Sequence, residues 1–142
     1  MPVAHINVLK GHPRPVLRQL IAEVSETLAR VIGAPMDRLE VWITEVDPDL
    51  WGIAGTPAQD LLTEDSRPHL EMPFIQMVLL AGRPKEQHHR LIADITEVTA
   101  RILKTDKDRI RLHIAEADPD SWGIGGVPAS IRRAAEIKAR SQ

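Results

Sequence analysis

Apolar side chains recur along the first half of the chain with two different periods. Ile6 and Val8 alternate with polar neighbours, which predicts a β-strand over residues 3–9, and alternation returns over residues 39–44. Between these strands the apolar residues follow the spacing of one face of a helix, which Gly33 is placed to end. The helix positions are Val16, Leu17, Leu20, Ile21, Val24, Leu28, Val31 and Ile32.

The same pattern starts again 71 residues later. Residues 47–53 align with residues 118–124, and about 24 positions of residues 1–58 are identical at this one offset without a gap. The chain is therefore predicted to be a tandem duplication. The second copy is expected to contain a strand near residues 74–80, a helix near 85–103 and a strand near 110–116. The predicted units are a repeat over 1–58, a polar linker over 59–71 and a repeat over 72–142.

A strand–helix–strand unit predicts two parallel strands joined by a right-handed crossover. Two strands and one helix bury too little apolar surface to be stable alone. We therefore expect an α/β fold (α+β in some schemes), in which the tandem β-α-β repeats form a four-stranded sheet with two helices on one face. The opposite face of that sheet would then be covered by association between chains.

Composition narrows the class of protein further. The chain has 142 residues, no cysteine and a net charge of −2, which disfavours disulfide frameworks, thiolate metal sites and general nucleic-acid binding. Neither a signal peptide nor an apolar run long enough to span a membrane is visible, so a cytoplasmic location is expected. The neutral total hides an asymmetry. The first 71 residues hold 6 basic and 11 acidic side chains, whereas the last 71 hold 12 and 9.

Several motifs are better explained by structure than by chemistry. The glycines of residues 52–55 and 123–126 lack the phosphate-binding pattern and predict tight hairpin turns. The six histidines show no metal-ligand spacing, so no metal is expected. The basic residues near the C-terminus are interpreted as a solvated helix end: Arg132, Arg133, Lys138 and Arg140.

Pro2 is the strongest candidate for chemistry. Removal of Met1 would expose its nitrogen as a secondary amine, and an apolar site beside cations would lower the pKa of that amine into the range of a general base. Pro2 also opens a predicted strand, which would hold it rigidly. The Met-Pro pair recurs at Met72-Pro73, where the second repeat begins.

These residues together resemble the 4-oxalocrotonate tautomerase group of the tautomerase superfamily. The resemblance rests on the Met-Pro start, the β-α-β unit, a glycine followed by His12 or Arg83 at the strand end, and the Trp-Gly-Ile turns that begin at Trp51 and Trp122. It covers nearly all of both halves and describes a fused, two-copy member. It implies that Pro2 acts as general base and then acid without a cofactor.

The resemblance also implies two carboxylate-binding arginines and one aromatic residue in each site. The first arginine corresponds to His12 in one half and to Arg83 in the other, and the second corresponds to Glu40 and to Arg111. The aromatic residue corresponds to Trp51 and Trp122. The first half therefore has the amine without the arginines. The second half has both arginines, but Pro73 is an internal amide.

The halves are expected to complement each other. Pro2 would meet Arg83, Arg111 and a tryptophan, preferably Trp122, from the other half or from another chain. His12 is either a weak donor to substrate or a turn residue. The implied substrate is a small anionic enol or 2-oxo acid, and because single-unit members form hexamers, a fused chain would form a homotrimer.

Two other functions stay open. The lost arginines of the first half are compatible with a catalytically silent assembly or binding protein of the same fold. Relatives of the family also act as dehalogenases or hydratases, with a carboxylate that activates water, and decarboxylation is a further alternative. Near Trp51 only Asp49 offers such a carboxylate, which disfavours the water-activating reactions.

Overall fold

The computed structural model describes residues 2–140, and each half folds as a strand, a helix and a strand followed by a small hairpin. The elements of the first half are β1 (Val3–Leu9), α1 (Arg14–Ile32), β2 (Glu40–Val46), β3 (Gly52–Ile53), β4 (Thr56–Pro57) and the single-turn α2 (Arg67–Leu70). Those of the second half are β5 (Phe74–Leu80), α3 (Lys85–Leu103), β6 (Arg111–Ala117), β7 (Gly123–Ile124), β8 (Val127–Pro128), α4 (Ala129–Arg132) and α5 (Ala134–Arg140).

The two long helices end at equivalent positions. Gly33 ends α1 with a φ of +69°, and its N–H donates to the carbonyl oxygen of Ala29 over 2.8 Å, as its position in the sequence predicts. In α3 the same left-handed position is taken by Lys104. Residues 59–71, predicted as a linker, contain α2. The division of the chain at this linker stays a prediction, since both halves contribute to one sheet.

The strands form one sheet in the order β2-β1-β5-β6. β1 and β2 are parallel, β5 and β6 are parallel, and β1 and β5 are antiparallel. Across the β1–β5 pair His5 faces Gln76, which is its own equivalent 71 residues later. The halves are therefore related by a local two-fold axis at this pair. Equivalent residues of the two repeats consequently lie at opposite ends of the sheet.

Both long helices pack on one face of the sheet and form a single apolar core with it. Every second residue of the two central strands, Ala4, Ile6 and Val8 in β1 and Ile75, Met77 and Leu79 in β5, is almost completely buried there. The predicted four-stranded sheet with two helices on one face is confirmed. The helix residues buried against it are Leu17, Leu20, Val24, Leu28, Val31, Ile32, Leu91, Ile95, Ile102 and Leu103.

The other face of the sheet is open in the single chain. Trp42 stacks there on His5, with ring centroids 5.0 Å apart, and 40% of its surface stays exposed. The Nε2 atom of His5 also lies 2.7 Å from the hydroxyl oxygen of Thr44. An aromatic residue on a half-polar open sheet face is typical of a surface that another chain covers.

Candidate active site

Pro2 is buried at one end of the sheet and lines a cavity of about 460 Å³. Its carbonyl oxygen accepts a hydrogen bond of 3.2 Å from the N–H of Glu40, which fixes the residue against the start of β2. The turn after α1 forms one wall of the cavity. The complete lining is Pro2, Ile32, Gly33, Ala34, Pro35, Arg38, Leu80, Arg83, Arg133, Glu136, Ala139 and Arg140.

Arg83 reaches this cavity because β5 runs antiparallel to β1, so the end of β5 lies beside the start of β1. Its Nη1 atom donates to the carbonyl oxygen of Ile32 and to the side-chain oxygen of Gln87, both over 3.1 Å. Gln87 in turn donates to the carbonyl oxygen of Val31. These bonds satisfy carbonyls at the end of α1 and hold the guanidinium next to the space beside Pro2.

The surroundings of Arg83 are electrostatically unfavourable for its charge. Burial lowers the pKa of the Arg83 guanidinium, the nearby charge of Arg140 lowers it further, and Glu136 acts in the opposite direction. A cation held in a half-buried position beside another cation is stabilised when an anion enters between them. The cavity is therefore suited to a negatively charged ligand.

The C-terminal helix α5 forms the outer wall of the cavity. The Nη1 atom of Arg38 donates to both carboxylate oxygens of Glu136, over 3.0 and 3.1 Å, and ties α5 to the turn after α1. The hydrogen bond from Arg38 lowers the pKa of Glu136, and the charges of Arg38, Arg133 and Arg140 add to this effect.

The prediction of a solvated C-terminal basic end is wrong for two of its four residues. Arg133 and Arg140 line the cavity, whereas Arg132 is exposed and directs Nη1 towards the carbonyl oxygen of Ile124. The missed signal is the spacing of Arg133, Glu136 and Arg140, since residues three and four apart lie on one side of a helix.

A charged network occupies the opposite end of the sheet, where the equivalent residues of the other repeat lie. Glu71 is completely buried and accepts hydrogen bonds from the N–H of Leu9 (3.0 Å) and from Nε2 of His12 (2.8 Å). Arg67 approaches the same carboxylate to 3.4 Å and donates to the carbonyl oxygens of Leu9 and Lys10. His12 occupies the position in the first repeat that Arg83 occupies in the second. It is thus already bound to a carboxylate of its own chain.

Both repeats match one and the same family model. The model, described as tautomerase enzyme, matches residues 2–61 and again residues 73–132. The chain belongs to the tautomerase family. Its resemblance to a fused, two-copy 4-oxalocrotonate tautomerase is confirmed, and the family makes it a keto–enol isomerase.

Relatives of this tautomerase are single-unit proteins, of which it matches nearly the whole length. A 2-hydroxymuconate tautomerase of Pseudomonas putida is 41% identical over 61 residues, which are 43% of this chain and 97% of the relative. A probable tautomerase of Listeria monocytogenes serotype 4b is 37% identical over 59 residues, 42% and 97% of the two chains.

Solved structures cover both repeats together. A crystal structure of a native fused 4-OT has a TM-score of 0.81 and 29% identity, and the match covers 91% of this tautomerase and 97% of that chain. A wild-type fused 4-OT solved as an asymmetric trimer has a TM-score of 0.80 and 25% identity, with 92% and 98% covered.

The structure of the tautomerase brings together only part of the predicted site. Pro2 and Arg83 line one cavity, although they come from different halves. Arg111 starts β6 at the opposite end, where its N–H donates to the carbonyl oxygen of Pro73 over 3.0 Å. His12 is at that end too. In the first repeat the two arginine positions are occupied by His12 and Glu40. Of these, Glu40 is the one whose backbone contacts Pro2.

The two candidate tryptophans also lie at opposite ends. Trp51 packs against the small apolar cluster of Leu9, Ile53 and Ala58, at the end that holds His12. Trp122 follows β6 at the end that holds Pro2; it is half-buried but is not among the residues that line the cavity. The roles of Arg111, Trp51, Trp122 and His12 in substrate binding stay predictions.

Within residues 2–140, no group of three or more His, Asp or Glu side chains is arranged to hold a metal ion. None of the helices formed by these residues combines the length and the apolar character that crossing a membrane requires.

Proposed function

We propose that this tautomerase interconverts the enol and keto forms of an anionic 2-oxo acid, with the free amine of Pro2 as general base and acid. The observation that carries the proposal is the cavity shared by Pro2 and Arg83. A relative named 2-hydroxymuconate tautomerase supports a substrate of this class, since that name describes an enol of a dicarboxylic acid.

The reaction needs one proton to leave oxygen and one to arrive at carbon. The neutral amine of Pro2 takes the proton of the enol hydroxyl, and the resulting ammonium gives a proton to the carbon of the enol system. Negative charge on the substrate in between is stabilised by Arg83, which also holds a carboxylate in place. The arginines around the cavity favour the neutral form of the amine before substrate binds.

The mechanism requires that Met1, which lies outside the described residues, is absent from the mature chain. The test compares two proteins of verified intact mass. One begins with Pro2, and the other keeps a residue before Pro2, so that the Pro2 nitrogen is an amide. We expect the first to ketonise an enol 2-oxo acid, followed by ultraviolet absorbance. Because an amide nitrogen has no basicity, the second should be slower by about 100-fold or more.

Equal rates for the two proteins would contradict the proline mechanism. Complete inactivity of the protein that begins with Pro2 would favour the catalytically silent alternative, for which Glu40 beside Pro2 is the supporting observation.

We also propose that three chains assemble through the open sheet face. The exposed Trp42 and the trimers named among the solved fused 4-OT structures support this arrangement. A neighbouring chain would then bring its own Arg111 to the Pro2 end of the sheet, which one chain alone does not do.

We expect Trp42→Asp to convert the trimer into single chains, because it replaces a large aromatic side chain of the proposed interface with a charge. The measurement is molar mass by light scattering after size exclusion. Ile92→Asp is the matched control, since Ile92 has the same 40% exposure but lies on the helical side of the sheet. A trimer that survives Trp42→Asp, or that is lost with Ile92→Asp, would contradict this interface.

A further inference from the structure

The cavity beside Pro2 contains more positive charge than the residues implied by the family resemblance account for. Arg38, Arg83, Arg133 and Arg140 line it together with one carboxylate, Glu136. Four cations around one anion leave an excess of positive charge in a concave, partly buried space. Such clustering is costly in a chain without ligand, and a bound anion removes the cost.

Glu136 is already engaged by one of these arginines. It accepts both of the hydrogen bonds that Arg38 donates to its carboxylate. Arg140 and Arg83 line the same cavity. Their proximity is expressed in the pKa of Arg83, which the charge of Arg140 lowers in addition to burial. Two guanidiniums that share a cavity can bind one carboxylate through several charge-assisted hydrogen bonds.

Within one chain, the strand beside Pro2 contributes no cation to the cavity. At the repeat position that holds Arg111 in the second half, the first half has Glu40, whose N–H donates to the carbonyl oxygen of Pro2. The side chain of Glu40 is exposed and is not among those that line the cavity. The C-terminal helix supplies positive charge from another direction.

We propose, on the basis of the proposed function, that Arg140 binds substrate: with Arg83 it holds a carboxylate of the 2-oxo acid beside Pro2. The Arg38–Glu136 ion pair positions Arg140 by tying α5 to the turn after α1. Arg133 adds positive charge one helical turn before Glu136 and is a secondary contributor.

The first experiment measures binding without catalysis. A stable dicarboxylate, cis,cis-muconate, is titrated calorimetrically into the wild-type full chain, Arg140→Gln and the control Arg132→Gln. We expect Arg140→Gln to weaken binding about ten-fold or more, because a charge-assisted hydrogen bond contributes strongly to binding. Arg132→Gln should stay within about two-fold of wild type, since Arg132 lies outside the cavity.

Absence of binding to the wild type, or equal binding by Arg140→Gln and wild type, would overturn the inference. Neither outcome bears on whether Pro2 is the base. Conversely, binding that depends on Arg140 in a protein without isomerase activity would sink the proposed function and leave the anion site intact.

The second experiment tests the positioning pair by kinetics on an enol 2-oxo acid. Glu136→Gln should raise KM and change kcat little, because it loosens α5 without touching the reacting atoms. Combined with Arg140→Gln it should add almost nothing, since the pair acts through Arg140. Additive effects of the two substitutions would contradict a positioning role for Glu136.

Discussion

Replacing Pro2 with alanine is expected to lower kcat/KM for enol ketonisation by about 100-fold or more. The substitution exchanges a rigid secondary amine for a primary amine on a freer backbone, so the base is both altered and less well oriented. Pro2 is held by the hydrogen bond from Glu40 to its carbonyl oxygen, which keeps the residue at the cavity wall. The measurement is steady-state kinetics on protein whose intact mass confirms a free N-terminal residue.

Pro73→Ala is the matched control for Pro2→Ala. Pro73 is the equivalent residue of the second repeat and is also buried, but its nitrogen is an amide inside the chain. We expect kcat/KM to stay within about two-fold of wild type, because an amide cannot act as the base. If Pro73→Ala lowered activity as much as Pro2→Ala, the losses would report on folding and not on proton transfer.

Replacing Glu71 with alanine is expected to lower the free energy of unfolding by about 3 kcal/mol. Glu71 is completely inaccessible to solvent. Its removal leaves Nε2 of His12 and the N–H of Leu9 without their acceptor, and it removes the carboxylate that lies 3.4 Å from Arg67. Removing one partner of a buried polar network costs more than the net contribution of the pair, because the remaining groups stay desolvated. Urea denaturation with an unchanged m-value measures the effect.

Glu136→Ala provides the comparison for Glu71→Ala. Glu136 also pairs with an arginine, but half of its side chain is exposed, and such pairs contribute less than about 1 kcal/mol. We therefore expect a change in unfolding free energy several times smaller than for Glu71→Ala. A similar loss in both variants would show that burial of the Glu71 network is not the source of its stabilisation.

Most of the fold follows from the sequence because the same pattern of apolar positions occurs twice at one offset. The alternation over residues 3–9 and its copy at 74–80 correspond to β1 and β5, and the predicted helix near 85–103 has the same bounds as α3. The antiparallel pairing of β1 with β5 does not follow from either pattern, since it depends on contacts between strands far apart in sequence. That pairing decides which residues share an end of the sheet.

The sequence predicts only those site residues that belong to recognisable local motifs. Pro2 follows from the Met-Pro start and Arg83 from the family resemblance, and the structure places both in one cavity. The contributions of Arg140 and Glu136 were not predicted, because α5 lies beyond the region in which the two repeats are most alike. Glu71 was included in a linker predicted as polar, and composition alone does not show that a charged side chain is buried when its partners are brought together by tertiary structure.

The local two-fold axis through the His5–Gln76 pair has an evolutionary consequence. In a pair of identical units, every substitution appears at both ends of the sheet, so neither end can change alone. Fusion makes the two copies separately mutable. Glu40 and Arg111 show the outcome, since equivalent positions carry opposite charges. The ends differ as well, because the buried carboxylate of Glu71 occupies one and the other has an open cavity beside Pro2. The two copies can thus divide one cavity between them, with the amine in the first half and most of the cations in the second.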